Sequence, residues 1–113
     1  MKKRIKDWIK NKFFENRDIK KDDIDMQELQ EMVKKGAILL DVRSPQEYKE
    51  GHINGAILIP EYELKRDADK FLTNKEEVIV VYCSTGMRSK KAQKELKEKG
   101  YKNVYNLYNG LEM

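Results

Sequence analysis

Apolar residues repeat along this chain in two rhythms, and the switches between them mark its elements. Near the N-terminus Ile5, Trp8, Ile9 and Phe13 stand at the i, i+3, i+4 and i+8 spacing of one helical face, with Lys and Arg among the positions between. That pattern predicts a short amphipathic helix. From Asn16 to Asp23 the only apolar member is Ile19, which suits a connector. Residues 1–20 read as this helix with its connector, and residues 21–113 as the body of the protein.

From Ile24 the alternation becomes regular. Asp25 with Glu28 at N3 predicts a capped helix that buries Leu29, Met32 and Val33 and ends at Gly36. Ala37 to Val42 is too short for a helix and apolar enough for a strand buried on both faces. Ser44, Pro45 and Glu47 supply an N-cap, a first-turn proline and an N3 carboxylate, so a brief helix runs to about Glu50 and stops at Gly51. Ala56 to Ile59 reads as a second strand. Leu64, Ala68 and Phe71 mark the buried face of another helix, and Val78 to Tyr82 is the strongest strand in the chain. Ala92 and Leu96 belong to a helix that begins near Arg88 or Ser89 and ends near Gly100, and Val104 to Leu107 forms a last strand. Strands separated by helices predict an α/β fold with a parallel sheet covered on both faces.

Composition narrows the possibilities. The 113 residues fit one domain. Mean hydropathy is −0.88, and no uncharged apolar run exceeds Val78 to Cys83, whereas a membrane span needs about 20 apolar residues. Residues 1–20 hold eight basic and three acidic side chains, while residues 21–113 hold sixteen and seventeen. A body so nearly neutral argues against a nucleic-acid-binding face. One Cys and one His exclude an internal disulfide and a four-ligand zinc site. Asp7, Lys10 and Lys12 interrupt the apolar core that a signal peptide would need, and the expected location is the reducing cytoplasm.

The single cysteine stands where an α/β sheet places its chemistry, just beyond the carboxyl end of a strand. Val78 to Tyr82 runs directly into Cys83-Ser84-Thr85-Gly86-Met87-Arg88-Ser89. A tight turn at Gly86 aims successive N–H groups at the sulfur. Together with the helix N-terminus and Arg88, they favour the thiolate. Cys83 is thus the candidate nucleophile, with Ser84, Thr85, Gly86, Met87 and Arg88 as its anion-stabilising cradle.

These residues resemble the rhodanese family, specifically its small single-domain sulfurtransferases. Leu40 to Tyr48 and Gly51 to Pro60 are similar to the upstream signature D-V-R-x-x-x-E-[YF] followed by G-H-I-x-G-A-x-x-[IL]-P. Cys83 to Ser89 is similar to the active loop C-x-x-G-x-R-S, and Gly100 to Leu107 to the segment leading into the final strand. The resemblance covers residue 24 to the end.

The resemblance implies a five-stranded parallel α/β sheet flanked by helices, to which this chain adds the N-terminal amphipathic helix. It implies that Cys83 takes a sulfane sulfur from a donor such as thiosulfate or a persulfide and passes it to a thiophilic acceptor. Partners are then small donor and acceptor molecules or a persulfidated protein, with no nucleic acid, metal or organic cofactor. Asp41 and Arg43 would brace the Cys83 loop. His52 is structural, and Tyr101, Tyr105 and Tyr108 pack the last strand and its flanks. Phosphatase and arsenate reductase relatives have one more residue between the Cys and the Arg than the four from Ser84 to Met87, so those activities rank below sulfur transfer. A non-catalytic module that binds a protein partner is the principal rival.

The family usually carries two glycines and a Trp-containing helix after the last strand, whereas this sequence keeps Gly110 and ends at Met113. The N-terminal helix is expected to cover the exposed face through Ile5, Trp8, Ile9 and Phe13. Contact of residues 1–14 with a membrane surface is the less favoured role.

Overall fold

The computed structural model describes residues 22–111; the expected N-terminal helix and its connector up to residue 21 lie outside the described residues. Five parallel strands form one sheet: β1 (Asp23–Ile24), β2 (Ile38–Asp41), β3 (Ile57–Leu58), β4 (Val78–Tyr82) and β5 (Asn103–Leu107). Their order is β1-β5-β4-β2-β3. Four helices connect them: α1 (Met26–Lys34), α2 (Pro45–Glu50), α3 (Leu64–Phe71) and α4 (Met87–Glu98), with a 3-10 turn over Glu61–Glu63 leading into α3.

The period of two along each strand sorts the core into two layers. Leu40, Val42, Ile79, Val81, Cys83 and Val104 meet Leu64 and Ala68 of α3 and Ala92 and Leu96 of α4. Leu39, Val78, Val80, Tyr82 and Leu107 meet Leu29 and Met32 of α1. Cys83 continues the alternation of β4, so its side chain enters the layer under α4. At about 1.5–3 kcal/mol for each large apolar side chain fully buried, these layers dominate the stabilisation of the sheet.

The topology also creates the crevice. After β2 the chain turns to β3 on one side, and after β4 it turns to β5 on the other. Where such connections diverge, the carboxyl ends of adjacent strands frame an opening. Leu40 pairs with Val81 and Asp41 with Tyr82, and Val42 N–H extends the ladder to Tyr82 O at 3.1 Å. The segments after β2 and β4 therefore leave the sheet side by side.

Both local caps form as the sequence predicts. Asp25 and Glu28 close one capping box and Ser44 and Glu47 the other, with Pro45 at the start of α2. Other expectations are corrected. Asp23, assigned to the connector, belongs to β1 and pairs with Asn106 of β5. The second strand shortens to Ile57–Leu58. Phe71 is 61% exposed while Leu64, Ala68 and Leu72 are buried, because the buried stripe runs at i, i+4 and i+8 and passes one position beyond Phe71. Tyr108 is likewise exposed, whereas Tyr101 is buried and donates to Asp69 Oδ1 at 2.8 Å. No helix among the described residues is long and apolar enough to cross a membrane.

Candidate active site

Cys83 is fully buried, and the loop that follows it folds back over its sulfur. Gly86 makes this return possible with a φ of +94°, in the left-handed region where a Cβ is strained. Its N–H reaches Cys83 Sγ at 3.1 Å. Ser89, in the first turn of α4, adds its N–H at 3.3 Å and its hydroxyl oxygen at 3.4 Å. Burial pushes the Cys83 thiol up, but the Ser89 hydroxyl and the N–H groups of Ser89, Gly86 and Thr85 outweigh it and hold the thiol below its ordinary value. The N-terminus of α4 points at the same atom and favours the same charge.

The donors thus differ in part from those expected. Of the expected backbone donors, Gly86 and Thr85 serve the sulfur, and the N–H of Ser89 joins them. Ser89 is the residue the sequence reading leaves out. Its place as the final Ser of C-x-x-G-x-R-S is the mark that points to it. A groove of about 930 Å³ along α4 meets the outside of the loop at Thr85, Gly86 and Met87, away from the sulfur.

Ser84 and Arg88, the two ends of the cradle, turn to a common carboxylate. Glu47 Oε1 accepts from Arg88 Nη1 at 2.7 Å and Oε2 from Nη2 at 2.9 Å. Ser84 Oγ donates to the same Oε2 at 3.1 Å. Glu47 also accepts from Ser44 N–H at 3.0 Å to complete the α2 cap. Arg88 first, then the Ser44 N–H, hold the Glu47 carboxyl far below the usual carboxylate range, and the Arg88 guanidinium is raised in turn. The sequence reading sees Glu47 only as a helix cap, because its other partners lie 37 and 41 positions away.

Asp41 and Arg43 form a buried pair, with Nη2 to Oδ2 at 2.7 Å and Nε 3.1 Å from both oxygens. Arg43 Nη2 then donates to Gly51 O at 2.7 Å, and its guanidinium lies 5.7 Å from the Tyr82 ring centroid. The expected brace to the Cys83 loop is therefore a brace to the end of α2. His52 is exposed, donates from Nδ1 to Tyr48 O at 2.8 Å, and stacks on the Tyr48 ring at 3.6 Å.

The chain after β5 backs the loop directly. Leu111 N–H donates to Cys83 O at 3.0 Å. Gly110, at φ +66°, comes so close that a Cβ there would lie 2.5 Å from the Ser84 carbonyl and 2.6 Å from Cys83 O.

The chain is similar to known proteins in both sequence and fold. A family model described as Rhodanese-like domain matches residues 25–113. The thiosulfate sulfurtransferase PspE of Escherichia coli (strain K12) is 39% identical over 67 residues, 59% of this chain and 64% of PspE. A tRNA uridine(34) hydroxylase of Hamiltonella defensa is 36% identical over 89 residues, 74% of this chain. The chain spans only 25% of the length of that protein. The structure of the human single-domain sulfurtransferase TSTD1 matches with a TM-score of 0.70 at 27% identity, covering 80% of this chain and 92% of TSTD1. With the family model matched from Asp25 to the last residue, the chain belongs to the rhodanese-like domain family.

Proposed function

We propose that this domain is a sulfurtransferase that carries a sulfur atom as a persulfide on Cys83. The observation that carries the reading is the pair of N–H donors converging on Cys83 Sγ from Gly86 and Ser89, with the Ser89 hydroxyl 3.4 Å away. They favour a thiolate without a general base. In the first half-reaction the thiolate attacks the outer sulfur of a donor such as thiosulfate, the S–S bond breaks, and its electron pair leaves on sulfite. In the second, an acceptor thiolate or cyanide attacks the terminal sulfur and Cys83 departs as thiolate. A thiol held at low pKa is a good leaving group, and the same N–H groups balance the charge both times.

Two features favour sulfur over phosphorus. Only four residues separate Cys83 from Arg88, and Glu47 already occupies the guanidinium that a tetrahedral oxyanion would need. Relatives named thiosulfate sulfurtransferase support the same reading. A reducing cytoplasm, which keeps the thiol unpaired, is the proposed location, with small sulfur donors and acceptors or persulfidated proteins as partners.

Intact mass spectrometry of the protein and its Cys83→Ser variant tests this after incubation with thiosulfate and then cyanide. The wild type alone should gain one sulfur and lose it again. If thiosulfate and glutathione persulfide both leave Cys83 unmodified, the reading fails and a partner-binding module replaces it.

A further inference from the structure

Among the described residues, several cations near the Cys83 loop are already matched by carboxylates. Lys90 Nζ lies 2.9 Å from Asp23 and Lys91 Nζ 3.0 Å from Glu61, while Arg43 is bound to buried Asp41. Arg88, the only charged residue between Cys83 and Ser89, is gripped through both terminal nitrogens by Glu47. Because Arg88, the Ser44 N–H and Ser84 all favour its ionised form, Glu47 remains an anion throughout the neutral range. Arg88, close enough for its charge to act on Cys83, therefore stands beside the loop as half of a neutral pair with Glu47.

We propose that Glu47 sets the donor specificity of the site by cancelling the charge of Arg88. The domain then favours sulfur donors of low charge, such as persulfides of thiols, over dianionic sulfur oxyanions. This rests on the sulfurtransferase reading and names its substrate class. A single uncompensated charge about 6 Å from the donor alters the binding of one further donor charge by about threefold in a water-like dielectric, and by about a hundredfold at an effective dielectric of 20. Glu47 is a positioning residue here, since it acts through Arg88.

Two donors that break the same kind of bond separate charge from fit. Thiosulfate carries two negative charges and methanethiosulfonate one. In each, the Cys83 thiolate attacks the outer sulfur and the S–S electron pair leaves, on sulfite or on methanesulfinate. The measured quantity is the ratio of the two rates at which full-length protein gains one sulfur, followed by intact mass. Glu47→Gln should raise the thiosulfate-to-methanethiosulfonate ratio at least about threefold, and added salt should shrink the rise. Arg88→Gln should lower the ratio, because it leaves the Glu47 carboxylate unbalanced. The double variant should return near the wild-type ratio.

A purely structural role for Glu47 would slow both donors alike and leave the ratio unmoved. An unchanged ratio in both single variants, with both donors loading the wild type, overturns the proposal while the sulfurtransferase reading stands. Should Glu47→Gln fail to fold, the Arg88→Gln arm decides alone through its opposite sign. If neither donor loads the wild type, the sulfurtransferase reading falls and takes this proposal with it.

Discussion

A Cβ placed on Gly110 would lie 2.5 Å from the carbonyl carbon and oxygen of Ser84. The turn after β5 thus fits against the peptide that begins the Cys83 loop, with no room for a methyl group. Gly110→Ala meets backbone on one side and a strained φ on the other. It should lose about 1–3 kcal/mol of stability in urea titration, and sulfur loading of Cys83 should slow because the loop must shift.

Ser89→Ala removes the hydroxyl beside Cys83 Sγ but keeps the N–H bond. Losing a donor to the thiolate raises the thiol pKa. Alkylation by iodoacetamide should slow by about threefold to tenfold below the pKa, the equivalent of one hydrogen bond, and approach the wild-type rate at high pH. A pH–rate profile that does not move would exclude Ser89 from the stabilisation of the thiolate.

The lowered thiol also links stability to pH. Its folded value lies below the ordinary thiol value of about 8.5, so the contribution is fully present above the ordinary value and is lost as pH falls through the folded one. The stability of the wild type relative to Cys83→Ala should therefore grow as pH rises through that interval and stay flat below it. Paired urea titrations from mildly acidic to mildly alkaline pH measure the difference, and a difference that is level throughout would count against the thiolate.

Asp41 is inaccessible to solvent and Arg43 is 7% exposed. Asp41→Asn strands a buried guanidinium, which should destabilise the fold by about 3–5 kcal/mol. The same titration would show a far smaller change if the pair were only a surface ion pair.

Phe71→Ser should change stability by no more than about 0.5 kcal/mol, as expected of an exposed side chain. Leu64→Ala, on the buried face of the same helix, should cost about 2–5 kcal/mol. Comparable losses for the two would restore Phe71 to the core.

These residues also show which parts of the fold can be read in one dimension. The capping boxes at Asp25 and Ser44 depend on contacts three residues apart, and Val78 to Tyr82 is apolar at every position, so both are visible in the sequence. β1 is not, since two residues become a strand only through a ladder to Asn106 and Leu107 at the far end of the chain. Helical spacing admits Phe71 to the stripe of Leu64 and Ala68 but does not tell that Leu72, one position on, is the residue that enters the core. The site divides in the same way. Cys83 and Gly86 announce themselves by their place after a buried strand, and Ser89 stands in the quoted motif without a local reason. The grip of Glu47 on Arg88 depends on the divergence of the chain around β2 and β4.

The smallest of the helices carries a dynamic consequence. α2 has six residues, well short of the about 12–15 at which a helix becomes even marginal alone. Its cap ends in the carboxylate that also secures Ser84 and Arg88. Fraying of its first turn and release of the cysteine loop are therefore a single opening. In native-state hydrogen exchange the first turn of α2 and the start of α4 should open as one cooperative unit, although Glu47 and Arg88 stand 41 positions apart.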